Sequence, residues 1–135
     1  MRRARLSRAR FIRRVIFLKN EIVLFTDGDI NIEVELSPEL ETVWLTQKQM
    51  GELFEVKQAT LSEHINNIIS SGELDETSIG FSDKSSGGRK PKIYNLDMIL
   101  SVGYRVNSKR GIAFRRWAIS VLKQYVIQGY AINEK

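Results

Sequence analysis

Apolar and polar positions change period several times along this chain, and each change marks an element. Ile30, Ile32, Val34 and Leu36 alternate with Asn31, Glu33 and Glu35, the period-2 pattern of a half-buried strand. The apolar run Glu21 to Thr26 precedes it, and Asp27-Gly28-Asp29 lies between, so the pair forms a β-hairpin. A break at Ser37-Pro38 leads to Thr42-Val43-Trp44-Leu45, a candidate third strand. Thr46 followed by Gln49 has the spacing of a capping box and opens a helix.

From Trp44 to Gly72 the period lengthens. Leu45, Met50, Leu53, Phe54, Val56, Leu61, Ile65, Ile68 and Ile69 fall where two short helices would each bury one face, with Val56 fixing the turn. Gly51 is small enough to let the two helices cross closely, and the whole is a helix-turn-helix pattern. The second helix presents Lys57, Gln58, Ser62, Glu63 and Asn66 away from the core. Such side chains reach base edges and phosphates.

Beyond Gly72, Ser78 to Ser82 and Pro91 to Asn95 read as two short strands around a Ser/Gly/Lys loop that holds Lys84, Arg89 and Lys90. A hairpin placed after a recognition helix is a wing, although a loop this rich in Gly and Ser is equally a solvated tip. Two helices follow, Leu96 to Val106 and, after a break at Asn107-Ser108, a longer one to about Gln128 that Gly129 is placed to end. On the longer helix Phe114, Trp117, Ala118, Val121, Leu122 and Tyr125 form an apolar stripe, with Trp117 in the core. Ser108 suits an N-cap, yet Lys109 and Arg110 follow where the helix dipole disfavours cations. An anion nearby would remove that cost, either a phosphate, which makes Ser108, Lys109 and Arg110 a candidate anion site, or an acidic side chain of the protein, the commoner solution.

Charge changes the picture only once it is divided. The net charge is +5, but the residues before Asn20 include Arg2, Arg3, Arg5, Arg8, Arg10, Arg13, Arg14 and Lys19 without one acid, which leaves the rest of the chain at −3. Overall basicity therefore says nothing about the folded part, and a binding face there must be a local patch. Residues 1–19 read as a disordered basic extension or the product of an upstream start, with a salt-sensitive arm on phosphates as the functional alternative. A targeting peptide is a third reading, opposed by the single serine, Ser7.

With 135 residues and no cysteine, the chain has the length of one domain and lacks disulfides and thiolate metal ligands. One histidine, His64, lies between Leu61 and Ile68 on a helical repeat and reads as a packed structural residue. No apolar run approaches the ~20 residues of a membrane span. Gly87-Gly88-Arg89-Lys90 lacks the spacing of a phosphate loop, and Asp27-Gly28-Asp29 lacks the later ligands of a calcium loop. No catalytic constellation, metal or other cofactor is expected.

The strings EIVLFTDGDINIEVEL, ETVWLTQKQMGELFEV, LSEHINNIISSGELDE and above all YNLDMILSVGYRVNSKRGIAFRRWA resemble the N-terminal region of the bacterial virulence RhuM family, from about Glu21 to Lys135. A similar region precedes the Fic domain of some cell-filamentation-type proteins. The resemblance implies a DNA-binding protein, for which the cytoplasm expected of a chain without cysteine is the fitting compartment, and it also implies that the chain is short, since the family continues into a further helical region. The turn departs from the commonest helix-turn-helix pattern by placing Glu55 where a glycine often sits, a strained choice if φ is positive there.

The expected architecture is α+β: residues 1–19 as an extension, then over 20–135 a winged helix-turn-helix preceded by a small antiparallel sheet and followed by a helical pair. The expected function is a DNA-binding regulator of a mobile or virulence-associated locus. Gln58, Ser62 and Asn66 would contact bases, and Gln47, Lys57, Lys84, Arg89 and Lys90 phosphates. Double-stranded DNA and a second copy of the chain are the expected partners. The alternative is a docking module for a Fic-type or toxin protein, which the −3 of the body favours.

Overall fold

The computed structural model describes residues 20–82 and 90–133, the last eight of them as backbone. The fold is α+β. Strands β1 (Glu21–Asp27) and β2 (Ile30–Ser37) form the expected hairpin, and β3 (Thr42–Leu45) pairs antiparallel with β2. Helices α1 (Gln47–Phe54) and α2 (Gln58–Ser70) follow, then a 3-10 turn (Glu76–Ser78), β4 (Ile79–Phe81) and β5 (Lys92–Asn95). Helices α3 (Leu96–Arg105) and α4 (Arg110–Asn133) close the chain.

All five strands belong to one antiparallel sheet of order β1-β2-β3-β5-β4. The expected wing and the expected preceding sheet are thus continuous, joined where Trp44 pairs with Asn95 and Leu45 with Tyr94. This order of strand, helix, turn, helix and hairpin is compatible with a winged helix-turn-helix. Gly28, at φ 65°, takes the first position of the two-residue β1–β2 loop, which a side chain enters only with strain.

Period-2 burial separates the two faces of the sheet. Phe25, Ile32, Val34, Leu36, Val43, Leu45 and Tyr94 are buried on the face that carries the helices. There α1 packs on β2, β3 and β5, α3 on β3 and β5, and α4 on β1 and β3, whereas α2 makes its main contacts with α1 and α3. The apolar stripe of α4 meets the sheet as expected: Phe114 is fully buried and stands edge-on to Phe25 (centroids 5.2 Å, planes at 74°), and Trp117 packs edge-on to the same ring. Phe54 at the end of α1 lies against Gly103, where a Cβ would come 3.0 Å from its ring, so α1 and α3 approach closely because that residue is glycine. On the opposite face Trp44 covers Gly80, and its indole Nε1 donates to Ser37 Oγ at 2.9 Å.

Two boundaries differ from the sequence expectation. Gly129 does not end α4, which runs on to Asn133. A lone glycine costs a helix only about 1 kcal/mol, and no proline follows. Ser108 is not the residue before that helix, because α4 starts at Arg110. Instead, Asn107 at φ 55° ends α3, with Asn107 N–H donating to Tyr104 O (3.1 Å) and Ser108 N–H to Gly103 O (3.0 Å). That pair of bonds is a Schellman motif, which needs one residue in the left-handed region.

Candidate nucleic-acid interface

The helix-turn-helix is fixed at each joint by an identifiable contact. Thr46 Oγ1 accepts from Gln49 N–H at 3.1 Å while Gln49 Oε1 accepts from Thr46 N–H at 2.8 Å, the full capping box. At the far end of α1, Glu55 adopts φ 58° and ψ 51°, and Val56 N–H returns to Gly51 O at 3.1 Å. The turn therefore does need positive φ, at a residue with a Cβ. Gly51 faces the start of α2: a Cβ there would lie 2.5 Å from Gln58 Nε2 and 3.1 Å from Val56 O. Lys57 precedes α2 in extended conformation and supplies no side-chain cap.

Gln47, Gln58 and Ser62 converge. Gln47 Nε2 donates to Ser62 Oγ at 2.9 Å and to Gln58 O at 3.1 Å, and Gln58 Nε2 donates to Gln47 O at 3.2 Å. The clamp ties the first residue of α1 to the first turn of α2 and holds the helices in register. Gln47 is half-buried, so its amide is committed to this role, while Gln58 and Ser62 remain exposed on α2. Asn66, one turn further, is exposed, and its side chain bonds no described residue. Gln58, Ser62 and Asn66 are spaced four apart and form a single polar row on the helix surface. The clamp escaped sequence reasoning because it depends on how closely the helices cross; its only trace is a glutamine at the first position of each helix.

The electrostatics of this face are mixed. Lys48 and Lys57 are exposed beside the row and make no ion pair with a described residue. Helix α2 itself contains no lysine or arginine, and Glu63 is exposed on it. Lys90 and Lys92 are exposed at the base of the wing, whereas Lys84 and Arg89 lie outside the described residues. Ser82, at the other base, donates from Oγ to Glu35 Oε1 at 3.2 Å, and Glu35 Oε2 accepts from Asn20 Nδ2 at 2.8 Å, fastening the wing to β2.

The cations at the start of α4 find acids within the protein. Arg110 Nη1 donates to Glu55 at 2.9 Å, and its Nε donates to Asp27 at 3.1 Å. Glu55 first and Asp27 second raise the guanidinium pKa above its ordinary value. This is the acidic side-chain solution to the misplaced charge, and it connects the HTH turn to the β1–β2 turn. Lys109 remains exposed, and Ser108 is half-buried beside it. Arg105 is likewise taken, by Glu73 at 2.9 Å, which holds the glutamate below its usual value. His64 is partly buried, its Nδ1 without a partner among the described residues. Among the described residues no cluster of three or more His, Asp or Glu could hold a metal, and no helix is long and apolar enough to cross a membrane.

Residues 76–135 match the family model of the Virulence protein RhuM family. The matched part holds the 3-10 turn, both wing strands, α3 and α4, and begins after the helix-turn-helix. No curated protein and no solved structure matches the chain.

Proposed function

From a chain that carries the Virulence protein RhuM family signature over residues 76–135, we propose a cytoplasmic DNA-binding module that acts in transcriptional control. The observation that carries this reading is the exposed row Gln58, Ser62 and Asn66 on α2, a helix held outward by α1 and α3 and followed by a two-stranded wing. Amides and hydroxyls at that spacing suit base edges in the major groove, with asparagine and glutamine matched to adenine. Lys48 and Lys57 flank the row, and Lys90 and Lys92 sit at the base of the wing, as phosphate contacts would require.

The test is selection of duplexes from a random pool by the full chain, read as motif enrichment rather than affinity. Affinity alone would confound the domain with the arginines of residues 1–19. Asn66→Ala is the cleaner variant, because Gln58→Ala also removes one of the three hydrogen bonds of the clamp. Expected is an enriched motif that N66A relaxes at one position, by about 1–3 kcal/mol of discrimination, with nonspecific binding retained. Absence of any enriched motif, or a motif indifferent to N66A, overturns the reading.

A docking module for a protein partner is the second reading. It is favoured by an α2 without a cation, by the exposed Glu63, and by the −3 of the chain beyond the arginine-rich start. In that case the full chain would bind all duplexes alike.

A further inference from the structure

The two edges of the sheet differ. At one edge β4 has three residues, while at the other β1 has seven, paired with β2 in unbroken register from Glu21–Leu36 to Asp27–Ile30. Natural edges are guarded by lysine, proline, bulges or brevity. Strand β1 has none of these. In a two-residue hairpin the closing pair, here Asp27 and Ile30, is the hydrogen-bonded one, so alternation turns the N–H and C=O of Ile22, Leu24 and Thr26 away from β2. No described residue bonds those groups. The side chains of the same three residues are exposed, Ile22 at 45% and Leu24 at 54%.

We propose that β1 is a two-fold dimerisation edge, on which a second copy of this chain pairs antiparallel with Leu24 opposite the partner's Leu24, giving one continuous ten-stranded sheet. Among symmetric registers only this one uses every outward group. Leu24 exchanges both bonds with its copy, and Ile22 and Thr26 exchange theirs with the partner's Thr26 and the partner's Ile22, so no outward donor or acceptor is left over. On the exposed face the cross-strand neighbours are leucine with leucine and isoleucine with threonine, combinations that suit a pleated surface.

The only acids of β1, Glu21 and Asp27, fall opposite the partner's Asp27 and the partner's Glu21 at the two ends of this register, a like-charge cost that is kept to the ends of the strand and is reduced at Asp27 by its ion pair with Arg110. Because β1 lies at the edge opposite β4, the pairing leaves the wing and α2 uncovered. The inference does not depend on DNA binding and holds equally for a protein-docking role.

The chain has no cysteine, so an introduced one reports on this register alone. In the full chain, Leu24→Cys would stand about 5.5 Å (Cα to Cα) from its copy, within the ~4.4–6.8 Å a disulfide spans. Ile22→Cys would be offset from its copy by four residues, about 13 Å along the strand. Sedimentation of the unmodified chain should show a concentration-dependent dimer, with L24C crosslinking under mild oxidation and I22C not. Leu24→Lys, at a half-exposed site that the folded monomer tolerates, should weaken the dimer about tenfold or more by setting two lysines at the axis. A chain that stays monomeric overturns the proposal. So does a dimer that survives L24K, or crosslinking that is equal for L24C and I22C.

Discussion

Glu55 is the position where the sequence departs from the common turn and where structure gives the departure a measurable size. Its backbone sits at φ 58°, which costs a residue with a Cβ about 1 kcal/mol more than glycine. Its carboxylate offsets part of that cost by accepting from Arg110 at 2.9 Å. The glutamate side chain is 70% exposed, so screening limits the pair to about 0.2–1 kcal/mol. Arg110 also keeps Asp27 at 3.1 Å, so removing Glu55 leaves no stranded charge. Glu55→Ala keeps the strain and loses the pair; expected is a destabilisation of about 0.2–1 kcal/mol in urea at pH 7, shrinking in high salt. Glu55→Gly loses the pair but relieves the strain, and should lie about 1 kcal/mol above the alanine variant, or some 4 °C in Tm. If the glycine variant is no more stable than the alanine variant, the left-handed turn is not what the residue contends with.

Other perturbations follow from the same contacts. Gly51→Ala gains helix propensity but sets a Cβ 2.5 Å from Gln58 Nε2 and 3.1 Å from the Val56 carbonyl, so a net loss of about 1 kcal/mol is expected in urea; a gain would mean the helices do not cross so closely. Thr46→Ala removes the capping box and should lower stability by about 1 kcal/mol, which thermal unfolding would register. Acid titration should show a loss from Glu73, whose pKa Arg105 and then Ser101 hold below 4.5: its contribution is present above the unfolded value and fades as pH falls through the folded one, so E73Q should flatten this part of the profile. Alkali should act through Tyr125, raised by its hydrogen bond to Glu21, and Tyr94, raised by burial. Their contributions are intact below about pH 10 and vanish as pH climbs through the raised values, and Tyr125→Phe should remove its share.

What the sequence revealed was local. A short apolar run marks β1 and alternation marks β2, the Thr46–Gln49 spacing marks the start of α1, and the apolar spacing from Leu45 to Ile69 marks both HTH helices, because each signal lies within one element or one turn. Arg110 illustrates the limit. Its position announced a missing anion, but Asp27 is distant in sequence and becomes a neighbour only when α4 lies across β1. The clamp between Gln47 and Gln58 is invisible for the same reason, since it reflects a crossing distance that Gly51 permits. Gly129 shows the opposite limit: glycine often follows a helix, but α4 continues through it, and the left-handed residue that does end a helix here is Asn107, after α3.

Strand order also sets a sequence of events in time. Residues of β1 and β2 meet across a two-residue turn, so that hairpin can close within microseconds. The β3–β5 seam is different, because Leu45 reaches Tyr94 only after the entire helix-turn-helix and the first wing strand have been looped out between them. Closing that excursion carries a larger entropy cost before any contact rewards it, and such long-range pairings are the slow steps of small domains. The Trp44–Asn95 and Leu45–Tyr94 pairs should therefore be the last part of the sheet to gain protection in pulse-labelled refolding, and α2 should find its final support only when that seam shuts.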